Sequence, residues 1–234
     1  MRRRSLITAA LAAPLASAGA VGALQSPAQA ATWSSSAQWG QWTTGAYTLY
    51  NNIWGSGAGS QTIWANSQSN WGVWANHPNT GGIKSYPNVS YTLGRNVSSM
   101  GNVSSSHNTT VPSGSGLAYN QAYDVWGNGD DHEIMIWTKW TSNVGPLGSY
   151  VGSVYLGGRN WNYYQGSNGA NPVYSFLAAT QTTTSTVNIT AHCQWLVNQG
   201  RMPNVRIDQI QFGWEITSSN GGYNFNCNSY SLTT

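Results

Sequence analysis

The sequence predicts an all-β fold, a jelly-roll sandwich of two antiparallel sheets with one short α-helix, and three observations carry that expectation. After the first thirty residues the chain breaks into many short runs rich in β-branched and aromatic residues, which suit a pleated, half-buried surface. Gly-, Asn- and Ser-rich turns separate these runs at short intervals, the punctuation of sandwiches and barrels. Only one stretch, 188–198, spaces its apolar residues for a helix.

Taken in order, Trp33 to Trp42 is polar with spaced tryptophans and is expected as an edge strand or an arm over one end of the sheets. Ala46 to Gly55 alternates and stops in the turn Gly55 to Ser60. Gln61 to Asn66 and Trp71 to Asn76 follow as short strands, and Ile83 to Pro87 as a further extended piece. Residues 94 to 116 are dominated by Ser, Asn, Thr and Gly, so only weak strands and turns are expected there. Leu117 to Trp126 and Glu133 to Trp140, separated by a Gly/Asn/Asp turn, read as a hairpin. Tyr150 to Leu156, Asn160 to Gln165 and Val173 to Ala178 are the next strands. The helix follows, with Ile189, Cys193, Leu196 and Val197 at helical spacing, Asn188 as N-cap and Gly200 as stop, signals with a capping mechanism behind them. It is expected on the outer face of a sheet. Arg206 to Ile216 and Tyr223 to Leu232 close the chain as strands.

Residues 1–30 are expected to be a cleaved secretory signal peptide, because Arg2-Arg3-Arg4 precede an Ala/Leu-rich region ending in Ala28-Gln29-Ala30, the three-part pattern of export signals. Arg3-Arg4-Ser5-Leu6-Ile7 also fits a twin-arginine signal. Residues 31–234 then form one domain, released outside the cell, since no later stretch is long and apolar enough to span a bilayer. Nine Lys+Arg less the three in the leader leave six bases against six acids. A neutral chain gives no reason to expect nucleic acid or a membrane as partner, and a monomer is expected. Charged residues make up only 6%, while Trp and Tyr number 13 each. Neutral hydrogen-bonding groups and flat rings suit a neutral sugar polymer, although most such rings fill cores.

Cys193 and Cys227 are the only cysteines, and the exported context predicts a disulfide between them. His77, His107, His132 and His192 show no ligand spacing and the thiols form no Cys-x-x-Cys pair, so neither metal nor any other cofactor is expected. The Asn-x-Ser/Thr sequons at Asn88, Asn96, Asn102, Asn108 and Asn188 are accidents of an Asn/Ser/Thr-rich composition.

The run Asp130 to Trp137 sends Glu133, Met135 and Trp137 to one face of a strand and Ile134 and Ile136 to the other, by the two-residue period of a strand. The only other glutamate, Glu215, lies in a second alternating run, Ile210 to Ile216. Two carboxyl groups flanking a scissile bond are what glycoside hydrolysis needs, and a concave sheet can point them across a groove from different strands. Ordinary solvent-facing strand residues are the competing reading, set against the near absence of glutamate elsewhere.

These stretches resemble glycoside hydrolase family 12, the small secreted endo-β-1,4-glucanases. The resemblance is carried by Gln38-Trp39, Asn51-Asn52-Ile53-Trp54-Gly55, Lys84-Ser85-Tyr86, Ala122-Tyr123-Asp124-Val125, Glu133-Ile134-Met135-Ile136-Trp137, Gly145-Pro146-Leu147-Gly148 and Phe212-Gly213-Trp214-Glu215. It implies that Glu133 is the nucleophile and Glu215 the general acid/base of a retaining hydrolase. It implies too that Asp124 lies beside Glu133, hydrogen-bonds to it and modulates it, and that Trp39, Asn52, Trp54, Met135 and Trp137 line a substrate groove. Relatives commonly carry proline after the acid/base where this chain has Ile216, and the N-terminal disulfide of many relatives is impossible without a cysteine before Cys193.

The sequence therefore points to a secreted endoglucanase, a cellulase-type enzyme acting on cellulose or related β-glucans, whose partner is the polysaccharide. Xyloglucan or xylan as substrate is the alternative on the same chemistry, and a non-catalytic lectin the alternative from another class. The lectin would not need Glu133, Glu215 and Asp124 together.

Overall fold

A computed structural model describes residues 31–234; the expected export signal lies outside the described residues. Fifteen strands fall into two sheets. The six-stranded sheet is ordered β1 (Trp33–Ser35), β4 (Ser60–Ser67), β5 (Asn70–Asn76), β15 (Tyr223–Thr233), β7 (Ser104–Thr110) and β13 (Thr184–Asn188). The nine-stranded sheet is ordered β10 (Ser149–Leu156), β11 (Arg159–Ser167), β12 (Pro172–Ala178), β9 (His132–Trp140), β8 (Leu117–Gly127), β14 (Arg206–Ser219), β6 (Asn88–Asn96), β3 (Tyr47–Tyr50) and β2 (Gln41–Thr44). The sandwich is thus the one the sequence predicts, with one departure. β12 runs parallel to β9, because the β10–β11 hairpin folds outward and returns the chain beside β9 in the same direction.

Alternation divides the faces of the nine-stranded sheet. Ile134, Ile136, Tyr123, Val125, Phe212 and Trp214 are buried in the space between the sheets. There Trp71 from β5 meets Trp214 from β14 with ring centroids 5.0 Å apart, and Phe225 from β15 lies 5.7 Å from the same ring. Rings of this size supply most of the apolar area removed from water. The other face carries Met135, Trp137, Ala122, Val173 and Leu177 as a smaller apolar cluster.

The helix α1 (Ile189–Asn198) starts where the sequence places it: the Asn188 side chain accepts a hydrogen bond from the Ala191 N–H at 2.9 Å. Gly200 follows with φ +64°. Its packing differs from expectation. His192 and Trp195 contact Trp161, Tyr163 and Phe176 edge-on at 4.7–5.7 Å, so the helix covers the core-facing side of β11 and β12. Nine strands are wider than six, and the helix closes the overhang.

Three further differences have local causes. β6 occupies 88–96, a strand the expectation above leaves out: Val89 and Leu93 pack on the core side by alternation, Tyr91 meets Tyr47 at 5.3 Å, and the strand pairs with both β14 and β3. The cysteines form no disulfide: Cys193 on α1 and Cys227 on β15 are buried free thiols, and burial pushes the Cys193 thiol up to about 12. Strand β14 does not give way to a loop at Ile216 but continues to Ser219. Ile216 donates its N–H to the Ser85 carbonyl at 2.9 Å, a bond proline could not make.

Candidate active site

The groove is built on three neighbouring strands. Glu133 on β9 sits opposite Trp126 of β8 and Val173 of β12; Met135 sits opposite Asp124, and Trp137 opposite Ala122. On the far side of β8, Glu215 of β14 pairs with Asn120 and Gln211 pairs with Asp124. Because all of these positions share one face, the carboxyl groups of Glu133, Asp124 and Glu215 open into a single cavity of about 810 Å³.

One flank is made by two loops laced onto β14. Lys84 N–H donates to the Ile216 carbonyl at 2.8 Å, Tyr86 N–H to the Asn52 carbonyl at 3.0 Å, and Trp54 N–H to the Lys84 carbonyl at 3.2 Å. This lacing brings Asn52, Trp54 and Tyr86 to the same cavity as Glu215. It needs glycine at 55, where a Cβ would stand 2.0 Å from the Ile83 carbonyl oxygen. Asn52 adopts φ +46°, a conformation that costs a non-glycine residue energy and gathers at working sites. A buried network beneath holds the loops: Ser85 Oγ donates to Gln61 Oε1 at 2.6 Å, and Gln61 Nε2 donates to the Asn51 carbonyl at 2.7 Å. His77 Nε2 joins it 2.8 Å from Gln61 Oε1. Burial, aided by the Lys84 charge, lowers His77 to about 4, so it stays a neutral partner.

The three carboxyls do not share one environment. Burial lifts Glu215 to about 7, with the Glu133 charge adding and a hydrogen bond from Asn120 Nδ2 to Glu215 Oε2 opposing. Part of the Glu215 side chain still meets solvent, yet its carboxyl is surrounded by protein. Glu133 is also raised by burial, but Asn168 Nδ2 donates to its Oε2 at 3.1 Å and favours the anion. Asp124 is held well above the usual carboxylate range, first by burial and then by the charges of Glu133 and Glu215. No hydrogen bond joins Asp124 to Glu133 among the described residues, and Asp124 Oδ1 is buried without a partner. The register explains this, since Asp124 stands opposite Met135 and only diagonal to Glu133. One neutral acid, one lifted acid and one amide-stabilised carboxylate in one groove can divide the roles of proton donor and anion between them.

Of the predicted groove residues, Asn52, Trp54, Met135 and Trp137 line the cavity. Trp39 does not: it stands 62% exposed on the loop before β2, tied to the groove flank by the hydrogen bond from Ile53 N–H to the Gln38 carbonyl. Sequence reasoning missed Asn120, Tyr86 and Asn168. Asn120 was within reach, lying four residues before Asp124 on the same strand face. Asn168 sits in a loop and comes near Glu133 only because β12 pairs with β9. Among the described residues no group of three or more His, Cys, Asp or Glu side chains could hold a metal ion.

Residues 45–234 match glycosyl hydrolase family 12. The chain is similar to the probable xyloglucan-specific endo-β-1,4-glucanase A of Aspergillus terreus, 33% identical over 197 residues that cover 76% of this chain and 78% of that protein. It is also similar to endoglucanase S of Pectobacterium parmentieri, 30% identical over 205 residues, covering 75% and 77%. Among solved structures, the xyloglucanase domain of NopAA, a type three effector from Sinorhizobium fredii, in complex with cellobiose, superposes with a TM-score of 0.82 at 37% identity. That match covers 86% of this chain and 98% of the other.

Proposed function

From the premise that this chain belongs to glycosyl hydrolase family 12, we propose that it is a secreted endo-β-1,4-glucanase, with residues 31–234 as its catalytic domain. It cleaves internal bonds of a β-glucan chain with retention of configuration, and the substrate is its partner. The observation that carries this reading is the pair Glu133 and Glu215, opening into one groove from β9 and β14 with different proton environments.

In the first displacement Glu133 attacks the anomeric carbon while Glu215 gives its proton to the leaving oxygen. In the second, Glu215 takes a proton from water as the water releases the sugar from Glu133. The lifted affinity of Glu215 for its proton, with a value of about 7, keeps it mostly an acid below neutral pH, well beyond the range of an ordinary carboxyl. Asn168 keeps Glu133 available as the anion. Asp124 modulates the pair by keeping its own proton: held neutral by burial and by the Glu133 charge, it adds no second negative charge beside Glu133 and leaves Glu133 as the anion at the point of attack. Trp54 and Trp137 offer flat faces to the sugar rings, and Asn52 and Met135 border the reacting sugar.

Glu133→Gln and Glu215→Gln are each expected to lose roughly 10²–10⁴-fold in reducing ends released from barley β-glucan, with the melting temperature preserved. Near wild-type rates in either variant would remove the assignment. Xyloglucan is the second reading of the substrate, favoured by the relatives named for it. Initial rates on xyloglucan, mixed-linkage glucan, cellulose and xylan decide between the two.

A further inference from the structure

Six large hydrophobic side chains stand exposed among the described residues, and they divide between two flanks of the groove. Trp39 and Trp54 lie near β2 and β3. Leu147, Tyr150, Val151 and Tyr155 lie on β10 and the loop entering it. β2 and β10 are the opposite edges of the nine-stranded sheet, with the carboxylate-bearing strands β14, β8 and β9 between them. Exposed rings thus border the groove on both sides along the direction that crosses the strands.

The tyrosines face the groove side of the sheet. Tyr150 pairs with Tyr164 and Tyr155 with Asn160, and 164 and 160 share a face of β11 by alternation. The bulge at Val151 shifts the register by one, so a spacing of five keeps both tyrosines on that face. Tyr150 meets Tyr164 edge-on at 5.4 Å. Tyr164 in turn packs on the apolar cluster of Met135, Trp137, Val173 and Leu177 that floors the groove. Polar groups are set beside the rings: Tyr150 Oη lies 2.9 Å from Ser153 Oγ, which donates to Asn162 Oδ1 at 2.9 Å. β10 itself carries no charged residue. Flat rings beside neutral hydroxyl and amide groups match the faces and edges of neutral sugars.

We propose that Tyr150 and Tyr155, backed by Tyr164, form a distal sugar-binding platform for the part of a neutral β-glucan chain that leaves the groove past Leu147. The inference rests on the groove being the place of hydrolysis. β10 lies three strand spacings from β9, roughly 14 Å. Long chains therefore reach the platform, and a short substrate seated at the carboxylates does not. The tyrosines act on affinity for polymer and not on bond cleavage.

The test compares Tyr150→Ala, Tyr155→Ala and the double variant on long β-glucan and on an aryl β-cellobioside. Retardation in gels containing the same glucan is measured in parallel in a Glu133→Gln background. Each truncation is expected to raise KM for the polymer about 3–10-fold, leave the aryl cellobioside within about twofold, and weaken retardation. Tyr150→Phe should restore most of the polymer affinity. Equal effects on both substrates, or unchanged KM and retardation, overturn the platform. If the unaltered protein cleaves no glucan yet is retarded through these tyrosines, the platform stands and the catalytic reading falls; if it is neither active nor retarded, both fall.

Discussion

Replacing Asn120 isolates one contact that sets the proton affinity of Glu215. Asn120 Nδ2 donates to Glu215 Oε2 and thereby favours the carboxylate, against burial and the Glu133 charge, which favour the acid. Removing the donor leaves the opposing effects in place, so the proton binds more tightly and the folded-state value rises from about 7. A hydrogen bond to a charged group contributes about 1.5–3 kcal/mol when buried, and solvent reaching the groove will replace part of it. About 1.4 kcal/mol lost corresponds to roughly one pH unit. The basic limb of kcat/KM, which reports the free enzyme's essential acid, should therefore move from near 7 to about 8 in Asn120→Ala. Asn120→Asp, which adds a like charge beside the carboxyl, should move it further. The acid limb should stay, because among the described residues Asn120 makes no hydrogen bond to Glu133. The assay is kcat/KM against pH on a soluble neutral β-glucan, buffered at constant ionic strength. A basic limb that stays in place or moves down in Asn120→Ala would refute the reasoning.

Other consequences are as direct. Asn168→Ala removes the donor that favours the Glu133 anion, so the acid limb of the same profile should move up in pH while the basic limb stays. Cys193 and Cys227 should be unreactive toward a thiol reagent in the native protein and titrate as two thiols on denaturation, and reductant should leave the melting temperature unchanged; a reductant-induced drop would mean a disulfide after all. Asn188→Ala removes the N-cap of α1, a loss of about 1 kcal/mol that should lower the melting temperature by roughly 2–4 °C.

What was legible in the sequence follows from how local the cause is. The runs containing Glu133 and Glu215 alternate strictly, so their faces could be read before any pairing was known, and β9 and β14 carry both glutamates toward one groove. The helix start was legible because a cap acts within three residues, from Asn188 to Ala191. The Asn168 contact with Glu133 was not, because it depends on a parallel pairing of strands some forty residues apart, which no turn signal encodes. The free thiols depend on where a helix lies relative to the opposite sheet, a fact of tertiary packing. Export made a disulfide plausible without bringing Cys193 and Cys227 together. Trp39 shows the same limit in reverse, since its motif neighbours pin its loop to the groove flank while its ring remains outside the cavity.

The central claim is that Glu133 attacks the sugar and Glu215 supplies the proton. It is tested most directly by treating the protein with a 2-deoxy-2-fluoro-β-cellobiosyl inactivator, in which the first displacement outruns the second, and mapping the adduct by peptide mass spectrometry. The account predicts one glycosyl unit per chain, on the peptide bearing Glu133, and no labelling of Glu133→Gln. An adduct on Glu215 or Asp124, or no covalent adduct in a protein that still cleaves β-glucan, would contradict it.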